Sequence, residues 1–199
     1  METVRRKSAV RRREIAQAAL GVLAESGPAE LNVAQIAQRL GLAPSALYRH
    51  FPGKGEIVDA VLDLVESRFE ANVAEACRSN PEPLRCLEAL LGRHVALVRE
   101  NSGIPRLLFS GEVFSGGDRN RKRLYGLVAG YLGRVAKIIR AGQRAGSIRK
   151  DVDARTLAVH FLGIVQPAVI LGHLSGGRFE VARHAKRAWR LFAETAAPR

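Results

Sequence analysis

Residues 33–54, VAQIAQRLGLAPSALYRHFPGK, constrain this chain more than any other stretch. Val33, Ile36, Ala37 and Leu40 recur at i, i+3, i+4 and i+7, which places them on one apolar stripe of a short helix. Gly41 can take the left-handed conformation that ends a helix, because it has no Cβ to clash. Pro44 suits the first turn of a following helix, where its missing N–H is not needed. Leu47 and Phe51 then make a second apolar pair at i, i+4. Ser45, Ala46, Arg49 and His50 are left off that face. Two helices this short cannot persist alone, since helix nucleation is costly and each must bury its stripe against a partner. A pair of short helices with small, polar and basic residues outward is the layout of a helix-turn-helix, whose second helix enters a major groove.

The chain has 199 residues, 47% hydrophobic, enough for a sizeable core. A net charge of +13 points to an anionic partner such as nucleic acid or a membrane surface; a charge that serves only solubility is the alternative. Cys77 and Cys86 form no CxxC or Cys/His cluster. They are expected to remain unpaired in a reducing cytosol and to pack as small apolar residues, without a zinc site or a disulfide framework. The basic start is followed by Glu14, Gln17 and Glu25 instead of the apolar core of a signal peptide. The most apolar run, Leu157–Leu171, contains His160, Gln166 and Pro167 and is shorter than the ~20 residues of a membrane helix. A cytoplasmic protein is expected.

Along the chain, residues 1–13 read as a mobile basic arm. Arg11 and Arg12 are candidates for phosphate contact, against the alternative of a solvated tail. Helices are expected over about Ser8–Glu25, from Asn32 as N-cap through the helix-turn-helix, with the recognition helix over Pro44–Phe51, and from Gly53–Glu56 to about Arg78. Ser79–Pro83 is the clearest linker. Further helices are expected over about Leu84–Glu100, Pro105–Val113, Asp118–Ala145, Ala154–Leu174 and Glu180–Ala193. That is an all-α chain of about nine helices, divided into residues 1–54, which read DNA, and residues 55–199. The basic residues of 118–145 read as a solvated face, with a second nucleic-acid surface as the sharper alternative. The 154–174 helix is apolar nearly all round and needs cover on two sides, plausible from a second subunit. Val159, Leu162, Gln166, Val169, Ile170, His173, Ala185, Ala188, Trp189 and Phe192 are the candidate dimer contacts.

Ser45 and Ala46 are the candidate base-edge contacts, and Arg49 could reach a base or a phosphate. The run from Gly27 through Ile57, above all Ile36-Ala37, Gly41-Leu42, Leu47-Tyr48, His50-Phe51 and Lys54, resembles the DNA-binding domain of TetR-type transcriptional regulators. The resemblance implies phosphate contacts from Asn32, Tyr48, His50 and Lys54, with Pro44 opening the recognition helix. Three positions depart from the pattern: Asn32 stands where the family has Thr or Ser, Ala43 where it commonly has a capping Ser, and Gly55 where an acidic residue is common. Alanine at 43 can neither cap nor donate to phosphate. The resemblance further implies a homodimer packed through its last two helices. It also implies a small-molecule pocket in the C-terminal body, for which His94, Phe109, Phe114, Tyr125, Tyr131, Phe161 and Gln166 are the inward-facing candidates.

No P-loop, dinucleotide fingerprint, nucleophile elbow or HExxH occurs, and the five histidines lack metal-ligand spacing. Neither an enzyme, a cofactor nor a metal is expected. The function expected is a transcriptional regulator, a repressor released from a near-palindromic duplex operator by a small molecule. The rival is an architectural, nucleoid-associated DNA binder with no effector.

Overall fold

The computed structural model describes residues 2–108, 110 and 117–198. Among these residues there are ten α-helices and no strand: α1 Glu2–Ser26, α2 Val33–Leu40, α3 Pro44–Tyr48, α4 Lys54–Ser79, α5 Pro83–Glu100, α6 Gly103–Leu108, α7 Gly117–Ala145, α8 Ala154–Gly163, α9 Gln166–Leu174 and α10 Val181–Ala196. The chain forms two compact units. The first comprises Met1–Arg68 with Asn101–Tyr125, the second Phe69–Glu100 with Gly126–Arg199; α4 and α7 contribute residues to both.

Three boundaries differ from the sequence expectation, each for a local reason. Residues 2–13 are helical and continue into α1. The segment holds no Gly or Pro, is rich in good helix formers, and is supported by the Arg11–Glu14 pair at i, i+3 (2.7 Å). The recognition helix stops at Tyr48: the His50 amide bonds to the Leu47 carbonyl three residues back, at 2.8 Å, a tighter turn than the α-helix, and Pro52 disfavours a helical residue before it. The expected single helix 154–174 is two helices, α8 and α9. Pro167 cannot donate to the Gly163 carbonyl, and the amides of Ile164 and Val165 bond instead to Phe161 and Leu162, three residues back. The 154–174 stretch has 21 residues and holds an 18-residue window with a mean hydropathy of 1.7, so it is long and apolar enough to cross a membrane, beyond the shorter run read from the sequence. Part of its apolarity is used within the protein: Leu157, Ala158, Phe161, Leu162, Ile164, Val165 and Ala168 are buried, whereas Val159, Ile170, Leu171 and Leu174 are exposed.

In the first unit α1 packs on α2 and α6, and α2 packs on α3. Ile15, Ala16, Ala19 and Leu23 of α1, Ile36 of α2, Leu47 and Phe51 around α3, and Ile57, Val61 and Leu62 of α4 are essentially inaccessible to water. Gly103 lets α6 approach closely: a Cβ there would lie 2.3 Å from the Leu20 carbonyl oxygen.

In the second unit α10 packs on α5, α8 and α9. Two further features of the chain correct the sequence reading. Cys77 and Cys86 are paired as a disulfide, with Cα atoms 5.0 Å apart, and no free cysteine remains. The Pro81–Pro83 turn reverses the chain between α4 and α5, which brings residues nine apart face to face; sequence spacing alone carried no sign of it. The basic face of α7 is also partly compensated. Arg119 pairs with Asp59, Arg123 with Asp63 and Glu66, and Arg134 with Glu70, all acids of α4. Lys137, Arg140 and Arg144, farther along α7, have no acidic partner among the described residues.

The core of the second unit contains one polar pair. His94 Nδ1 and the Tyr131 hydroxyl are hydrogen-bonded at 3.0 Å, with the Phe69 ring 4.9 Å from the imidazole and 5.1 Å from the phenol. Burial lowers the His94 pKa from 6.5 to about 4 and raises that of Tyr131, so both are neutral at physiological pH. A histidine that protonates more easily unfolded than folded contributes stability in full above pH 6.5, and that contribution is lost as pH falls from 6.5 towards 4. In urea unfolding at pH 6.5 and pH 5, the intact chain should lose about 2 kcal/mol more than a His94→Gln variant. Equal losses in the two proteins would contradict a neutral, buried His94.

Candidate nucleic-acid interface

The helix-turn-helix is fixed from both of its turns. Asn32 caps α2: its Oδ1 accepts from the Gln35 amide at 2.9 Å, while its Nδ2 donates to the Glu30 carbonyl at 3.0 Å. The side chain is thus already committed within its own loop. Gly41 adopts φ 64°, and the amides of Gly41 and Leu42 close the end of α2 on the carbonyls of Gln38 and Ala37. Pro44 occupies the first turn of α3 and Ala43 supplies no side-chain cap.

Leu47 and Phe51 are fully buried beneath α3. Of the residues the sequence pattern left off the buried face, Ser45 and Arg49 are exposed and Ala46 and His50 half-buried; Tyr48 is exposed as well. Tyr48 is 54% exposed, so it is not a packing residue against α1. The side chain of Arg49 has no hydrogen-bond or ionic partner among the described residues. Small and polar groups on one side, with a free guanidinium beside them, can meet base edges and backbone phosphates without first breaking a protein contact.

The flanking cations are arranged differently. Lys54, at the start of α4, donates from Nζ to the Pro28 carbonyl at 2.9 Å and so ties the loop after α1 to α4. Arg11 is exposed and paired with Glu14. Arg12 turns back onto the protein: its Nη1 donates to the His50 carbonyl at 2.7 Å, and its guanidinium lies 4.3 Å from the centre of the Phe51 ring. No sequence pattern signalled that contact, which joins residues 38 positions apart.

The candidates for the body fall in separate places. His94 and Tyr131 meet as described; Phe161 is buried against Phe192, ring centres 5.7 Å apart, and Gln166 is half-buried. Phe109 and Phe114 lie outside the described residues. Tyr125 does not face inward; it is 74% exposed. Of the candidate dimer contacts, Val159, Ile170 and His173 are exposed and Gln166, Val169 and Ala188 half-buried. Leu162, Ala185, Trp189 and Phe192 are instead buried within the chain itself, where Trp189 stacks on Phe192 at 5.5 Å. Leu171, Leu174 and Leu191 are exposed and were not singled out from the sequence; Leu174 is 75% and Leu191 65% accessible.

Comparison with known proteins agrees with this geometry. Residues 15–61 match the family model of bacterial regulatory proteins of the tetR family, and residues 83–192 match that of the tetracyclin repressor-like C-terminal domain. The nucleoid occlusion factor SlmA of Aliivibrio fischeri (strain MJ11) is 24% identical over 184 residues, 92% of this chain and 94% of that protein. Among solved structures, the transcriptional regulator FadR from Bacillus subtilis, in complex with stearoyl-CoA, superimposes with a TM-score of 0.80 at 19% identity, covering 92% of this chain and 97% of that one. A TetR transcription regulator from Haloarcula marismortui superimposes with a TM-score of 0.80 at 22% identity over 95% and 99% of the two chains. At these identities the structural likeness establishes the fold.

The exposure of Arg49 generates a prediction. Arg49→Ala should leave the melting temperature unchanged and relax base preference at one position of each half-site, by about 1–3 kcal/mol if the guanidinium reads a guanine. A loss that is uniform across sequences, with a smaller salt dependence, would instead assign Arg49 to a phosphate.

Proposed function

The chain belongs to the TetR family of bacterial regulatory proteins, which are DNA-binding regulators, and from that premise we propose that it is a cytoplasmic, homodimeric repressor released from its operator by a small molecule. The observation that carries the reading is α3 itself. Its buried side holds Leu47 and Phe51, while Ser45, Tyr48 and Arg49 stand free on the other. Residues 1–54 would form the DNA-reading head and residues 55–199 the dimerisation and ligand-binding body. Within the head, Ser45, Ala46 and Arg49 would meet base edges, with Pro44 setting the entry of the helix. Arg11, Asn32, Tyr48, His50 and Lys54 would lie along the phosphates, Asn32 and Lys54 by rearranging the local bonds they now make.

In the body, the exposed apolar residues Val159, Ile170, Leu171, Leu174 and Leu191 support a partner copy as their cover. Monomeric proteins rarely leave so many large apolar side chains exposed together on neighbouring helices. Two copies related by a two-fold axis would present two recognition helices to successive major grooves of a near-palindrome. The effector would be a largely apolar molecule with one hydrogen-bonding group. The neutral His94–Tyr131 pair would supply the polar contact, and Phe161 and Gln166 are the remaining candidates of the body. Such a molecule relieves repression only by binding the DNA-free geometry more tightly than the DNA-bound one. Among the described residues no nucleophile–base arrangement supports an enzyme.

An architectural role is the second reading. It is supported by the SlmA relatives, whose name is nucleoid occlusion factor, and by the uncompensated Lys137, Arg140 and Arg144. Selection of genomic fragments by the purified chain at physiological salt separates the two, because non-specific contacts weaken steeply with salt. The regulator retains a few sites sharing an inverted repeat; the architectural protein retains many fragments with little preference. For the dimer, Ile170→Asp should convert a dimer into a monomer in sedimentation at micromolar concentration. An intact chain that is already monomeric there would remove the two-fold arrangement.

A further inference from the structure

We infer that Arg12 is a positioning residue for DNA reading, clamping the C-terminal end of the recognition helix instead of contacting a phosphate. The need for a clamp follows from α3. It has five residues, too few to persist on its own, and Ala43 leaves its N-terminus without a side-chain cap. Its far end is secured by two groups. Phe51 is fully buried, and the His50 carbonyl, which has no following helical turn to accept from, receives Arg12 Nη1 at 2.7 Å. The same guanidinium covers the Phe51 ring at 4.3 Å. A cation at this end of a helix also opposes the partial negative charge of its unpaired carbonyls. The backbone of Arg12 is held in turn by α1, whose next residues, Ile15, Ala16 and Ala19, are core. Arg12 thus ties the turn that closes α3, which carries Arg49 and His50, to α1 of the head core.

A clamp and a phosphate contact differ in what their loss does to DNA binding. Removing a cation from a phosphate weakens binding to every sequence and lowers the salt slope by about one, for selected and random duplexes alike. Removing a clamp loosens the reading helix. Affinity for the selected duplex falls, affinity for random duplex holds, and both salt slopes hold. A hydrogen bond from a charged donor corresponds to about a 10- to 100-fold loss when it is removed in a protected setting. For this solvent-accessible pair the lower end is expected, roughly tenfold.

The experiment uses the full-length chain and the duplex it selects from a random-sequence pool, with a scrambled duplex of equal length as control. Arg12→Ala should bind the selected duplex about tenfold more weakly and the scrambled one as before, with both salt slopes unchanged. Arg12→Lys, which keeps a donor and a cation over the ring, should recover most of the loss. Arg12→Gln, neutral, should not. Thermal melting of each variant confirms that the compared proteins are folded, and affinities refer to the active fraction. A slope lower by about one on both duplexes would overturn the inference in favour of a phosphate contact. An unchanged ratio of the two affinities would overturn it as well. The inference rests on α3 as the base-reading helix, and Arg49→Ala is the control for that premise. If that variant and Ser45→Ala both leave base preference intact, the premise fails; if either alters preference while Arg12→Ala does not, the premise stands and the clamp fails.

Discussion

The burial of Leu47 and Phe51 is the contact on which the DNA-reading surface depends. A five-residue helix has almost no stability of its own, so its place is set by what holds its inner face. Both side chains are inaccessible to water, in a core shared with Ile15, Ile36 and Ile57. Each buried side chain of this size contributes about 1.5–3 kcal/mol, which is large against the marginal stability of a short helix. The outward residues can then be small or polar, because none is needed for folding. This division of labour lets a head keep its fold while its base-contacting residues vary.

Electrostatics follow a similar division. The chain carries +13, yet much of the positive charge is occupied locally. Arg119, Arg123 and Arg134 of α7 are paired with carboxylates of α4, and Arg149 with Asp151. These pairs are exposed or half-exposed, so each adds little to stability. Their effect is to withdraw those arginines from the pool that could meet a polyanion. Among the described residues, Arg49, the lower half of α7 and Lys186, Arg187 and Arg190 of α10 remain without an acidic partner. Net charge alone therefore overstated the area available for nucleic acid.

The helical scaffold was legible because its signals are local. The stripe Val33-Ile36-Ala37, the glycine at 41 and the proline at 44 each act through neighbouring residues, and α2 and the start of α3 fall where they point. The end of α3 was overextended by three residues because the competing Leu47 carbonyl and Pro52 outweigh the amphipathic pattern that continues to Phe51. Contacts across long sequence separations were not legible. Arg12 on His50, the Cys77–Cys86 disulfide and the His94–Tyr131 pair all depend on how helices pack, which periodicity does not encode. Trp189 and Phe192, candidate dimer contacts by their pattern, are buried within the chain itself. Amphipathicity marks a buried face without saying whether the cover belongs to the same chain or to another.

The central claim is that two copies of a rigidly held α3 read two half-sites of one duplex. Hydroxyl-radical footprinting of the intact chain on its selected duplex tests it most directly. Two protected segments are expected on one face of the DNA, about one helical turn apart and symmetric about the repeat, unchanged in extent as protein is added. Protection that starts at no fixed point and spreads along the duplex with rising protein would contradict it.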